Sequence, residues 1–258
     1  MAANNFIDKS DKQPTYRVRP TVYRGIMAYL VYMLIFYAIF ILTKIDYTRI
    51  SESADTLLHW FIPGTLGMIV VPIAFVTFYG WWKPSIVEQK KLSARASVIP
   101  VITALTAIVN LLTGDCSRLT PGMWLMLIVG SFCVGFNEEM INRGTLIVAL
   151  RSKYGEKGVW LISTAMFAVF HLPNIFFGTG PIGLIQVPIA FGMGSVFYLA
   201  RRSTGTLLSA MALHTIWDFS VFATNSIWMG IIGPIIGIAA VVTVIVQLTH
   251  EKAKNRLS

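Results

Sequence analysis

The sequence predicts an all-α polytopic membrane protein: an eight-transmembrane-helix bundle with an intramembrane polar cavity. Three observations carry that reading. Of the 258 residues, 55% are hydrophobic and only 13% charged, about half the charged share of a water-soluble domain. Apolar runs such as Gly25–Thr43 and Ile227–Leu248 reach the roughly 20 residues a helix needs to cross a hydrocarbon core. Several ionisable side chains interrupt those runs, and polar groups at such depth mark function or a compensating partner. A conventional soluble enzyme is excluded by composition. The net charge of +9 lies between apolar segments and forms no single stripe, so no nucleic-acid partner is expected.

Taken in order, the spans are read from apolar runs bounded by Pro, Gly and charge clusters. The first, Val22–Thr43, follows a polar segment and is not trailed by a small-residue cleavage site, so it is expected to stay in the protein and not to act as a secretory signal. Leu57–Trp81 and Val98–Thr113 follow, then Met123–Leu150, which ends before Arg151. Gly158–Leu172 begins after Lys157 and stops before Pro173. Ile182–Ala200 lies between the turn Gly178-Thr179-Gly180-Pro181 and the pair Arg201-Arg202. Thr206–Ala223 starts after Gly205, and Ile227–Leu248 completes the set. Between the second and third spans, Trp82–Ser97 mixes aromatic and basic residues, as either an amphipathic piece on the inner leaflet or a solvated loop would.

The count is tested independently by where the basic residues fall. With the N-terminus inside, the inner segments hold Lys9, Lys12, Arg17, Arg19 and Arg24; Lys83, Lys90, Lys91 and Arg95; Arg151, Lys153 and Lys157; Arg201 and Arg202; and Lys252, Lys254 and Arg256. Lys44, Arg49 and Arg118 are left outside, and Arg143 stands within a span. An error of one span would scramble this division. Both termini are therefore expected in the cytoplasm and the protein in the plasma membrane. The expected organisation is a cytoplasmic segment 1–21, one integral domain 22–248 with its motif-bearing core near 123–223, and a cytoplasmic tail 249–258. Cys116 and Cys133 form no paired framework and no metal or redox motif.

Six ionisable residues fall inside the spans: Glu138, Glu139 and Arg143 in the fourth, His171 in the fifth, His214 and Asp218 in the seventh. Each costs roughly 2.5–3.5 kcal/mol at a helix centre. Glu139 and Arg143 are one turn apart, which lets them pair as a structural, orienting couple and leaves Glu138 unpartnered. His214 and Asp218 share one side of their helix. His171 sits two residues before Pro173, where the helix is expected to bend or end. Counting about 1.5 Å per residue from Arg151, Lys157 and Gly205, Glu138, His171, His214 and Asp218 share a layer roughly 14–21 Å deep. Asn137, Asn142 and Asn225 are read as interhelical hydrogen-bonders, and Gly192-Met193-Gly194-Ser195 as small-residue packing, not a serine nucleophile. His59 and His250 are assigned no role.

A carboxylate and two imidazoles around a wet cavity either deprotonate water directly or hold a metal ion that acidifies it. In the metal version Glu138, His171, His214 and Asp218 supply the ligands of one divalent ion, with zinc the first choice. In the metal-free version Glu138 and His171 activate water while His214 and Asp218 serve the oxyanion. Both lead to hydrolysis.

The motifs Glu138-Glu139-Met140-Ile141-Asn142-Arg143, Phe167-Ala168-Val169-Phe170-His171 and His214-Thr215-Ile216-Trp217-Asp218 together resemble those of the CAAX-protease and bacteriocin-processing (CPBP, or Abi) intramembrane proteases, over about Met123–Ala223. That resemblance implies a cavity open toward the cytoplasm and an endopeptidase whose base is Glu138. It also implies that His171 holds the water or metal, and that His214 and the residue four further on complete the site. Prenyl endopeptidases carry Asn where Asp218 stands, and bacterial relatives carry either. The expected function is hydrolysis of a peptide or membrane-protein substrate near the cytoplasmic half of the bilayer, with the lipid bilayer as the other partner. The alternatives are a non-catalytic bacteriocin self-immunity or scaffold protein and an ion- or proton-coupled transporter.

Overall fold

Eight helices of the described residues are long and apolar enough to cross a membrane: Val22–Thr43, Ala54–Tyr79, Ala94–Thr113, Pro121–Leu150, Glu156–Phe176, Gly180–Thr204, Leu207–Thr224 and Met229–Glu251. Each expected span is present, with ends moved by a few residues. The computed structural model describes residues 16–89 and 91–257, and residues 252–257 by backbone alone. Residues 1–15, with Lys9 and Lys12, lie outside the described residues, as do Lys90 and the side chains of Lys252, Lys254 and Arg256.

Local chemistry fixes the helix ends. Thr120 accepts a hydrogen bond from the Met123 N–H at 3.3 Å and Pro121 occupies the first turn, which together start the fourth span. The sixth ends on Gly205, whose φ of +90° is easy only without a Cβ. The fifth leaves α-helical geometry at His171 and continues as a 3₁₀ turn, Leu172–Phe176. Pro173 is the cause, since it lacks the N–H that would extend the ladder.

Tertiary contacts sort the connections onto two ends. At one end the Val18 N–H bonds Tyr79 O, the Glu88 N–H bonds Gly205 O and the Leu92 N–H bonds Arg202 O, while Ser93 meets Gln247 and Lys157 meets Thr249. At the other, the Tyr47 N–H bonds Phe177 O, and Arg118 donates to Ser51 O and Phe222 O. The division of basic residues read from the sequence follows these ends. Lys44, Arg49 and Arg118 stand at the second end, which leaves the first as the basic end.

Much of that basic charge is engaged. Glu88 binds Arg151 at 2.9 Å and Arg201 at 3.0 Å; Glu156 binds Arg151 and Arg202; and Arg202 reaches Glu251 at 3.1 Å. This network ties the 82–97 segment to the fourth, fifth, sixth and eighth spans. Trp82–Ser97 is accordingly more than a solvated loop: one side packs on the bundle and the other stays exposed. Trp82 is exposed, but Ser85, Glu88, Leu92 and Ala96 are buried, and Val87 makes an isolated antiparallel bridge to Thr206. The buried carboxylate of Glu88 needs its arginines, and those pairs anchor the inner face of the segment to the bundle.

Small residues set how closely spans approach. A Cβ on Gly130 would stand 2.1 Å from the Phe61 ring, and one on Gly192 would stand 2.7 Å from Gly237 Cα. Ser195 accepts a hydrogen bond from Trp160 Nε1 at 3.1 Å, so Gly192–Ser195 is packing, as expected. Asn137 bridges spans as expected, donating to Thr65 O at 2.8 Å. Asn142 and Asn225 do not. Asn142 donates to Glu138 O of its own helix, because an amide four residues on reaches the freed carbonyl first. Asn225 ends the seventh helix in left-handed conformation, with φ 51°. Cys116 and Cys133 are free thiols. The fourth and sixth spans are the most buried, while Leu34, Leu42 and Leu112 face outward on other spans.

Candidate active site

The fourth span changes geometry where its charges begin. Regular α-helix runs to Glu139 and is followed by a π-helical stretch, Met140–Thr145. Such wide turns insert a residue and re-aim side chains, and they recur at functional sites. Here the turn carries Arg143 beneath Glu139, with Arg143 Nη1 and Glu139 Oε1 at 2.9 Å and both side chains wholly buried. The orienting pair expected from the spacing is therefore formed. Arg143 also lies over the Phe167 ring, 3.9 Å from its centroid, which explains the motif aromatic as a cation–π floor. Arg201 holds the same turn from the basic end, donating to the Arg143 carbonyl and to Pro84 O.

The oxygen of Glu139 that binds Arg143 also meets His214 Nδ1 at 3.0 Å. The other ring nitrogen, Nε2, stands 3.4 Å from Asp218, and Phe197 stacks on the imidazole at 4.3 Å. His214 is thus clamped between two carboxylates and an aromatic face. His171 is held by its own helix: Nδ1 meets the Phe167 carbonyl at 2.9 Å. A carbonyl only accepts, so Nδ1 carries the proton and Nε2 keeps its lone pair.

No hydrogen bond or ion pair ties the Glu138 carboxylate to this clamp among the described residues. Glu138 is almost fully buried, and its Oε2 has no hydrogen-bond partner within the protein. Glu138, His171, His214 and Asp218 all line one cavity of about 220 Å³, which has room for more than one water. Three spans thus bring the four expected residues to a common space, and Glu139 and Arg143 stand behind it. Buried polar atoms without partners carry a desolvation cost, and Glu138 Oε2 is one that lines a water-sized space.

The sequence motifs do not include Tyr47 and Gln186, which line the same cavity. Gln186 Nε2 donates to the Tyr47 hydroxyl at 3.3 Å, and Asn174 Nδ2 donates to Gln186 Oε1 at 3.0 Å. Because its oxygen accepts from Gln186, Tyr47 keeps its own proton for a partner in the cavity. Burial, and after it the Asp218 charge, hold the Tyr47 phenol well above the ordinary tyrosine range, so it remains a donor at neutral pH. Tyr47 lies in a connection, outside every motif and every hydrophobic run, and no local signal in the sequence marks it.

The cavity sits between the spans on one side of a continuously buried stretch of the fourth span. Residues 137–150 are buried without interruption, and Glu88 and the Arg143 carbonyl both meet Arg201 beneath them. On the other side the lining includes Ile45, Tyr47 and Ile50 of the first connection.

His214 and Asp218, two of the candidate metal ligands, are engaged with one another in this arrangement. Both His214 nitrogens face carboxylates of the protein, and among the described residues no three His, Cys, Asp or Glu side chains come together as ligands.

Fold and site define a class: a polytopic helical membrane protein with an acid- and imidazole-lined cavity between its spans. Within that class, residues 120–220 match the family described as type II CAAX prenyl endopeptidase Rce1-like. The match covers all three motifs and bears out their resemblance to the CPBP intramembrane proteases. The family is one of proteases, which supports a peptidase. A comparison with curated proteins finds no match.

Proposed function

We propose that the chain is an intramembrane endopeptidase that hydrolyses a bond in a peptide or membrane protein through water activated by Glu138 and His171. The observation that carries this reading is the single cavity shared by Glu138, His171, His214 and Asp218. Water donates one proton toward Glu138 and the other toward the free Nε2 of His171, which turns its lone pair to the scissile carbonyl. Carbon–oxygen bond formation sends the first proton to Glu138, which returns it to the amine nitrogen as the carbon–nitrogen bond breaks. The Tyr47 hydroxyl donates to the oxyanion. His214 offsets the Asp218 carboxylate, which would otherwise repel that oxygen.

Asp218 stands where prenyl endopeptidases carry Asn. We therefore place the substrate among peptides and membrane proteins, not prenylated CAAX termini. With the basic end in the cytoplasm, both termini are cytoplasmic and the protein resides in the plasma membrane. The test is cleavage of quenched-fluorescent peptides by protein purified into lipid nanodiscs. Glu138→Gln keeps the shape, removes the base and is expected to lower the rate on the order of 10²–10⁴-fold. Undiminished cleavage by that variant ends the proposal.

A further inference from the structure

The sixth span carries none of the three motifs, yet one of its faces meets charged residues of two of them. Gly194, Phe197 and Arg201 follow one another at intervals of three and four, the spacing that puts side chains on a single side of a helix. Arg201 donates to the Arg143 carbonyl. The Phe197 ring stacks on His214, 4.3 Å between centroids, and its centroid lies 5.5 Å from the Arg143 guanidinium carbon. Gly194 completes the face. A Cβ at this position would stand 2.6 Å from Arg143 Nη2 and 2.9 Å from Thr164 Cγ2, closer than packed atoms approach.

The missing Cβ is room for the guanidinium. Among the described residues, Arg143 Nε and Nη2 have no hydrogen-bond partner, so the group is held by the Nη1 bond to Glu139 at 2.9 Å and by the Phe167 ring. An exposed arginine would swing aside from a new neighbour. This one is wholly buried, and a close-packed interior offers it no second place. A methyl at 194 would displace Nη2 and with it Nη1, whose partner Glu139 Oε1 also meets His214 Nδ1. We infer that Gly194 is a positioning residue of the site: the absence of a side chain there seats Arg143 and, through Glu139, sets the imidazole of His214. The neighbouring Gly192 differs, because a Cβ on it would meet backbone of the eighth span, 2.7 Å from Gly237 Cα. The consequence for turnover rests on the peptidase reading, but the seat itself is a property of the bundle.

The test uses the full chain in lipid nanodiscs, with thermal midpoint and peptide cleavage measured on wild type, Gly194→Ala, Arg143→Lys and the double variant. Gly194→Ala is expected to melt lower and to lose kcat on the order of 10²-fold with KM nearly unchanged, as a remote misplacement of about 1 Å does. Arg143→Lys keeps the positive charge and takes away the atom that the new methyl meets. The double variant is therefore expected to melt above Gly194→Ala and to regain on the order of tenfold in kcat, the coupling of residues in direct contact. Gly192→Ala serves as the control, and Arg143→Lys is expected to give it no rescue. A double variant that melts at or below Gly194→Ala, or an equal rescue of Gly192→Ala, overturns the inference. So does wild-type turnover by Gly194→Ala, or thermal rescue with no regain of kcat in a protein that cleaves. If wild type itself cleaves nothing, the peptidase reading fails and thermal rescue alone decides the seat.

Discussion

One carboxylate oxygen, Glu139 Oε1, receives both Arg143 and His214. A buried ion in this position is stable only while its partners remain, and removing one partner of a buried pair costs about 3–5 kcal/mol. Arg143→Met alone is therefore expected to lower the thermal midpoint in detergent markedly, because Glu139 keeps its charge without the guanidinium. The double variant Glu139→Leu with Arg143→Met removes both charges and is expected to melt above the single one. A double variant less stable than Arg143→Met would show that the pair itself, and not its orphaned half, holds the turn. At the mouth, Tyr47→Phe deletes one hydroxyl and leaves the ring. Loss of a single oxyanion donor is worth on the order of 10² in turnover, so kcat is expected to fall by that factor with KM nearly unchanged. Turnover equal to wild type would remove Tyr47 from the mechanism.

Among the elements, the π-helical stretch Met140–Thr145 governs which side chains face which way. It lets Glu138 look into the cavity while Glu139 and Arg143 look behind it. Deleting Ile141 would close the turn toward ordinary helix and rotate Arg143 by about 100° relative to Glu139, one residue of helical phase. The variant is expected to lose cleavage and the Arg201 contact to the Arg143 carbonyl, and to unfold at a lower temperature while keeping its far-ultraviolet helix signal. Unchanged cleavage would show the wide turn to be incidental. The fifth span illustrates the same logic with a different device. Pro173 ends the α-helix beside His171, and the released turn carries Asn174 to Gln186.

For the whole molecule, ion pairs of Glu88, Glu156 and Glu251 tie the segments together at the basic end, while the site's cavity reaches residues of the first connection. Its donor set does not converge on a metal, so chelator treatment of the purified protein is expected to leave peptide cleavage unchanged. Loss of activity restored by added zinc would mean that His214 or Asp218 swings out of the clamp to bind an ion.

Much of this was legible before any coordinates. Hydrophobic run length fixes how many helices are possible, and the alternation of basic connections fixes their count, because both depend only on what a bilayer tolerates. Residue type and depth similarly exposed Glu138, Glu139, Arg143, His171, His214 and Asp218, since ionisable groups among apolar ones announce themselves. Only the tertiary structure decided that Glu88 of the Trp82–Ser97 segment pairs with arginines of the bundle, that Glu139 serves His214 as well as Arg143, and that Tyr47 and Gln186 line the same cavity as the motif residues. Each of these depends on which side chains from distant segments meet, and contacts between distant segments leave no period or spacing in a linear chain.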